Sequence, residues 1–352
     1  MSAVRPIAFA VPGDLATPTG GYRYDRAVMA ELAALGHDVR HVPLGASFPF
    51  ATDADIADAA AALAGVPDDT ALIVDGLAFS ALPAAVLDKV TAPMVALVHH
   101  PLSLETGLAA DDAARLALSE RAALAFAREV VVTSPTTARI VAADFGVSPA
   151  RLHVALPGLE PLWRTLRRRP ATPPRIVAVG SLSPRKGHDV LVDALATLTD
   201  HAWHCDIVGG AQADSPTAAA LRAQIARLGL SQRITLNGPQ PIETIATLFE
   251  EASLFALATR YEGFGMVFAE AMAAGLPVVG TTGGAVPDVV PPSAGVLVAP
   301  DDAPAFAAAL GTLLADDAAR RRLADGARTA AATLGGWDAA AAVFSRLAER
   351  LG

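Results

Sequence analysis

Two glutamates eight residues apart flank a glycine-rich turn in Glu262-Gly263-Phe264-Gly265-Met266-Val267-Phe268-Ala269-Glu270. Backbone N–H groups at the start of a helix have no intrahelical partner, so such a turn can take a hydroxyl or phosphate oxygen. Glu262 falls in the loop and Glu270 about one turn into the following helix. Carboxylates separated in this way can hold hydroxyls on two parts of one ligand. A capped helix with two surface glutamates gives the same spacing, and the residues alone leave both readings open.

A second turn of the same kind is Gly180-Ser181-Leu182-Ser183-Pro184-Arg185-Lys186-Gly187-His188. Amides, helix dipole and adjacent cations converge there, which suits a diphosphate. The chain has only two lysines, Lys89 and Lys186, so a lysine at this turn is more than a random solvated cation. The turn lacks the G-x4-G-K-[ST] spacing of a Walker loop. Near the N-terminus, Gly20-Gly21-Tyr22 joins a strand to a helix, and paired glycines there let backbone approach an anion. His99-His100-Pro101 follows an apolar strand, at the end of a parallel sheet where ligands bind. Asp75 and Ser134 occupy equivalent strand-end lips; Asp75 suits either orientation of an acceptor hydroxyl or a helix cap.

The elements that must position these residues alternate. Short apolar runs (Ile7–Val11, Val39–Val42, Ala71–Val74, Val95–Val98, Glu129–Thr133) are separated by helical stretches, the longest Asp111–Arg128. That is the pattern of parallel βαβ units. Pro161–Pro174, with the basic run Arg164 to Arg169, reads as a solvated linker. The alternation then restarts with strands at Arg175–Val179, His204–Val208, Arg233–Leu236, Leu254–Ala258 and Pro277–Thr281. The expected fold class is α/β, with two facing doubly wound Rossmann-like domains and an interdomain cleft. The expected domains are residues 1–165, residues 172–335 and a closing helical segment 336–352.

Composition narrows the function. The chain has 352 residues, 53% hydrophobic and 18% charged, with net charge -9, which excludes disorder and binding of nucleic acid by bulk charge. Residues 1–160 hold 10 basic and 18 acidic side chains, against 17 and 18 in residues 161–352. The acidic first half is a poor match for an anionic bilayer. Cys205 is the single cysteine and reads as a small buried hydrophobe, which excludes a disulfide framework. Met1 to Pro12 lacks a signal-peptide pattern and no apolar run is long enough to span a membrane, so the expected location is cytoplasmic.

The 18 residues from Glu262 to Val279 resemble the signature of the family 4 (group 1) retaining glycosyltransferases, which have the two-domain GT-B fold. That signature is E-x7-E around a G-F-G turn, followed by E-A-M-A-x-G-x-P-V-V. The turn at Gly180 is similar to the family's G-R-L-x-x-x-K-G, with Ser181 in place of an arginine and Arg185 available to supply the charge. The resemblance implies that Glu262 contacts the donor sugar, Glu270 the ribose hydroxyls, Lys186 the diphosphate, and the amides of Gly263, Phe264, Gly265 and Met266 the sugar and diphosphate. It likewise implies donor contacts at Gly20, Gly21, Ser181 and His99, with Tyr22, Asp75 and His100 on the acceptor side. Gly209-Gly210 and Asn237-Gly238 should flank the base, and Gly335-Gly336-Trp337-Asp338 with the helix after it is similar to the family's last helix, which crosses back to the first domain.

The expected activity is therefore retaining transfer of a sugar from a UDP- or GDP-sugar to a hydroxyl of a small-molecule, saccharide or lipid-headgroup acceptor. Domain closure would exclude water, and the leaving phosphate oxygen would take the acceptor's proton, with no protein base. Asp53-Ala54-Asp55 has the D-x-D spacing of metal-dependent sugar transferases, but it precedes a helix and reads as a cap. No metal and no cofactor are expected, and no nucleic-acid partner. A pyridoxal-dependent phosphorylase needs a Schiff-base lysine that the chain scarcely has, and a dehydrogenase needs a G-x-G-x-x-G that it lacks. The remaining alternative is a non-catalytic nucleotide-sugar-binding protein of the same fold.

Overall fold

The computed structural model describes residues 5–210 and 216–351. The expectation for the N-terminal segment falls partly on residues 1–4, outside this range. The chain divides into two compact units, Met1–Gly158 with Gly335–Gly352, and Leu159–Leu334.

In the first unit the elements run β1 (Ile7–Pro12), α1 (Gly20–Ala34), β2 (Val39–Leu44), α2 (Asp53–Ala64), β3 (Ala71–Asp75), α3 (Gly76–Phe79), α4 (Ala84–Leu87), β4 (Met94–Val98), α5 (Ala110–Leu124), β5 (Glu129–Val132), α6 (Pro135–Phe145) and β6 (Leu152–Val154). The strands form one parallel six-stranded sheet in the order β2-β1-β3-β4-β5-β6. β1, β3 and β4 are buried along their whole length, as unbroken apolar runs in a parallel sheet covered on both faces must be.

The second unit runs α7 (Pro161–Thr165), β7 (Arg175–Val179), α8 (His188–Ala196), β8 (His204–Val208), α9 (Pro216–Arg227), β9 (Ile234–Leu236), α10 (Ile242–Glu251), β10 (Leu254–Ala256), α11 (Met266–Ala273), β11 (Val278–Thr281), α12 (Val286–Val289), β12 (Gly295–Val298), α13 (Ala303–Ala315) and α14 (Asp317–Ala331). Its sheet is also parallel and six-stranded, ordered β12-β11-β10-β7-β8-β9. β7 and β10 are adjacent central strands, which sets the turns that follow them side by side. α15 (Trp337–Arg350) returns to the first unit, where Trp337 and Phe344 pack edge-on against Tyr24 of α1 at 5.6 and 6.4 Å between ring centroids.

Several local expectations shift. β6 and β12 were not legible because both are short edge strands with partly exposed residues, and so lack a continuous apolar run. The basic run is not a solvated linker throughout: α7 seats Trp163 on Phe249 at 5.3 Å, and the half-buried Arg168 donates to the carbonyls of Gly275, Ala252 and Ser253. Carbonyls at loop and helix ends have no partner of their own, so they draw in nearby guanidinium groups. Asp55 closes a capping box with Thr52, in agreement with the cap reading of the D-x-D spacing. Cys205 is buried in β8, its thiol pushed up by burial. Among the described residues no helix is long and apolar enough to cross a membrane.

Two predictions follow from this packing. Phe344 is 1% exposed, so Phe344→Ala should lower stability by about 3–5 kcal/mol in urea or guanidinium unfolding; a loss below about 1 kcal/mol would mean that α15 contributes little. His188, buried at the start of α8, has Nε2 3.2 Å from the Gly180 carbonyl, and burial pushes its pKa down to about 4 from the ordinary 6.5. Between these values the unfolded chain binds a proton that the folded protein does not, so stability falls as pH drops through the window. The loss from pH 7 to pH 5 is about 2 kcal/mol, and His188→Gln should remove it; parallel pH dependence in wild type and variant would disprove the assignment.

Candidate functional site

In the second unit the site grows from the close approach of two turns. Gly187 has φ +62°, and a Cβ there would fall 1.8 Å from the Ala258 carbonyl oxygen. Only glycine therefore lets the turn after β7 lie directly on the chain leaving β10. Backbone hydrogen bonding holds the approach, with Arg260 N–H donating to the Arg185 carbonyl at 2.7 Å. Gly284, at φ +61°, closes on Glu262 from the other side; a Cβ there would lie 2.2 Å from the Glu262 carbonyl oxygen, which accepts from Ala285 N–H.

These contacts bring together Glu262, Lys186 and Arg185. Lys186 Nζ donates to Glu262 Oε1 at 2.7 Å, and an Arg185 Nη lies 3.3 Å from Oε2. Thr259 Oγ1 lies 3.0 Å from Oε1 as well. Burial alone would raise the Glu262 carboxyl, but the charges of Lys186 and then Arg185 outweigh it and hold it below the usual carboxylate range. Glu262 is thus an ionised, fixed acceptor held between two cations.

Glu262 and Glu270 are both only 5% exposed, which rules out the reading of two surface glutamates. Glu270 sits in α11, which opens at Gly265 with no side-chain cap, while Phe268 N–H donates to the Gly265 carbonyl. The turn is anchored from below by an aromatic chain in which Phe268 packs on Phe255 and Phe255 on Phe249. Gly263, Phe264 and Met266 complete the turn, Phe264 buried. Ser181 lies in the neighbouring turn, its hydroxyl 3.2 Å from Ser183. Gly209 N–H donates to Gly238 O and Leu182 N–H to Gly210 O, so the turn at Gly180 and the two strand ends expected to flank a base are laced together.

In the first unit the strand ends gather a different set. Gly20 and Gly21 open α1 behind the N-cap Thr19, and the Tyr22 hydroxyl donates to the Pro12 carbonyl at 2.8 Å. His99 Nε2 lies 3.2 Å from Asp75 Oδ2 and 3.2 Å from Asp25 Oδ1. Asp75 also caps α3 by accepting from Leu77 N–H, in agreement with its cap reading. His100 Nε2 is 3.2 Å from Glu105 Oε2, and Ser134 caps α6. Among the described residues Asp25, Asp75 and His99 form one group whose ligand atoms converge closely enough to hold a metal ion. Residues 25, 75 and 99 are too scattered in sequence to reveal this.

Sequence reasoning missed Asp25 and Thr259. Asp25 left a faint signal, an acidic residue in helical register with the buried Val28 and Leu32 of α1. Thr259 left none, because a hydroxyl at the end of an apolar strand reads as an ordinary cap or turn residue.

Residues 173–316 match the family model for group 1 glycosyl transferases. The chain is 34% identical over 243 residues to a D-inositol 3-phosphate glycosyltransferase of Xylanimonas cellulosilytica, covering 64% of this chain and 58% of the relative. It is 31% identical over 272 residues to an MMP alpha-(1->4)-mannosyltransferase of Mycolicibacterium hassiacum, covering 72% of this chain and 64% of that one. The matches thus span less than two thirds of either relative's length. Among solved structures, sucrose-phosphate synthase from Thermosynechococcus elongatus superposes with a TM-score of 0.82 at 22% identity, over 98% of this chain and 99% of that one. The HepE protein of Anabaena, solved with UDP and glucose, superposes with a TM-score of 0.77 at 19% identity, over 98% of this chain and all of that one. The two parallel six-stranded α/β sheets are those of the GT-B fold, and over residues 173–316 the chain carries a group 1 glycosyltransferase domain.

Proposed function

We propose that the protein is a retaining, metal-independent glycosyltransferase that moves a sugar from a nucleoside-diphosphate sugar, with UDP or GDP as the nucleotide, to an acceptor hydroxyl. The observation that carries this reading is the Glu262 carboxylate held by Lys186 and Arg185 at the ends of adjacent strands, inside the segment that matches the family. In this reading Lys186 and Arg185 meet the departing diphosphate from their places beside Glu262, while Glu262 and the amides from Gly263 to Met266 hold the sugar. Glu270 takes the ribose hydroxyls, with Ser181 beside the phosphates. In the first unit Gly20, Gly21, Tyr22, Asp75, His99 and His100 are assigned to oxygen atoms of the substrates.

The bond from the anomeric carbon to the phosphate oxygen breaks, and its electron pair stays with the diphosphate. The acceptor oxygen bonds to the same carbon on the same face. Its proton passes to the leaving phosphate oxygen, so charge and atoms balance without a protein base. Stabilising the developing negative charge is the larger task, and fixed cations and amides in a partly buried site perform it without reorganisation.

Release of nucleoside diphosphate from a panel of nucleotide sugars and acceptor alcohols tests the reading. Lys186→Ala and Glu262→Ala should each lower turnover by roughly 100- to 1000-fold while the fold is retained by circular dichroism. Full activity in either folded variant would overturn the site. Saturable binding of a nucleotide sugar with no release for any acceptor would instead favour the non-catalytic alternative. Turnover should survive EDTA; loss restored by added metal would overturn the metal-independent part.

A further inference from the structure

The first unit holds a carboxyl group that the proposed transfer does not use. Glu120 lies on the inner face of α5, 1% exposed, in line with the buried Leu116, Ala123 and Leu124. Packing of this face calls for an apolar side chain. Burial pushes the Glu120 carboxyl up to about 7, against the pull of the Ser80 hydroxyl and the Leu102 amide. Its charged form is therefore held at a cost that an apolar residue would not carry. Both oxygens are nonetheless engaged. Ser80 Oγ donates to Oε1 at 2.9 Å, and Leu102 N–H donates to Oε2 at 3.1 Å.

These two partners belong to the two turns that carry strand-end residues of the first unit. Ser80 closes α3, the single helical turn that Asp75 opens. Leu102 begins the 3-10 turn Leu102–Leu104, which follows His99-His100-Pro101. The first N–H of such a turn has no partner within it, and Pro101 offers no side-chain cap. The two turns already meet at their base. Asp75 Oδ2 lies 3.2 Å from His99 Nε2, and a Cβ on Gly76 would fall 2.8 Å from the Leu97 carbonyl oxygen. Glu120 fastens them again at their far ends. Ser119 Oγ adds a grip on the first turn by donating to the Ser80 carbonyl at 2.8 Å, and Thr133 Oγ1 holds the His99 carbonyl at 3.0 Å.

We propose that Glu120 is a positioning residue: by bridging Ser80 and Leu102 it holds the turns after β3 and β4 in register, and so sets where Asp75, His99 and His100 meet a substrate hydroxyl. The bridge needs an acceptor for the Leu102 N–H and a partner for the Ser80 hydroxyl. Glutamine supplies both, because its carbonyl accepts from Leu102 and its amide donates to Ser80 Oγ. Leucine fills a similar volume and supplies neither. The charge is then dispensable, and the bridge is not.

The substrate hydroxyl rests on the glycosyl-transfer reading; the bridge between the turns does not. Two measurements on the full chain test the proposal. In hydrogen exchange read by mass spectrometry, the segment from His99 to Glu105 should exchange at least about tenfold faster in E120L than in the wild type. E120Q should stay close to the wild type, and the second unit should not change in either variant. In transfer assays E120L should lower kcat and raise the acceptor KM, costing roughly 10- to 100-fold in kcat/KM, while binding of UDP and GDP changes by less than about twofold. E120Q should recover most of that loss. Unchanged exchange in E120L, equal losses in E120L and E120Q, or a matching loss of nucleotide binding would each overturn the proposal. If E120L fails to fold, Ser80→Ala removes one arm of the bridge and carries the same two measurements, with wild-type exchange and kinetics overturning it. Absence of transfer by the wild type would sink the functional reading and leave hydrogen exchange to judge the bridge.

Discussion

The ion pair between Lys186 and Glu262 is the constraint around which the second unit is organised. A carboxylate that is 5% exposed is costly unless cations answer it, and Lys186 at 2.7 Å with Arg185 at 3.3 Å supply that answer. The pairing depends on backbone rather than on long flexible side chains. Gly187 must pass over the Ala258 carbonyl, and Gly284 must pass beside that of Glu262; a Cβ at either position would prevent it. Strand order then makes the approach possible, because β7 and β10 are neighbours in the sheet although 74 residues lie between Val179 and Leu254 in the chain.

The same logic operates in the first unit with the opposite sign. There one imidazole serves two buried carboxylates, where in the second unit one carboxylate serves two cations. Both arrangements bring ionisable side chains within 3.3 Å of one another. Both also lie at strand ends, where parallel sheets present their ligand sites. Such sites are electrostatically prepared in advance, which is the condition under which fixed charges act most strongly on developing charge.

Much of the fold was legible because buried parallel strands are continuous apolar runs. Ala71–Asp75 and Met94–Val98 are buried at every position and were read almost to the residue. Elements at the sheet edges were not: β6 and β12 are half exposed, and their sequences resemble loops. The arginines near Arg168 were misread for a related reason, since a cation in a proline-rich stretch looks solvated until the carbonyls it satisfies come close in space. The D-x-D spacing at Asp53 was resolved locally, because a capping box involves only neighbouring residues.

Sequence alone determined the chemistry that is written in contiguous residues: the glycine turns, the two glutamates, the scarce lysine and the strand-end histidines. Those are properties of short segments, and a segment of 9 or 18 residues displays them without help from the rest. Tertiary structure decided which of these groups meet. That Lys186 answers Glu262, that Thr259 supports it, and that Asp25 and Asp75 share one nitrogen of His99 all follow from strand order and the closeness of turns. Charge and protonation depend on distance and burial, which the linear order of residues does not contain.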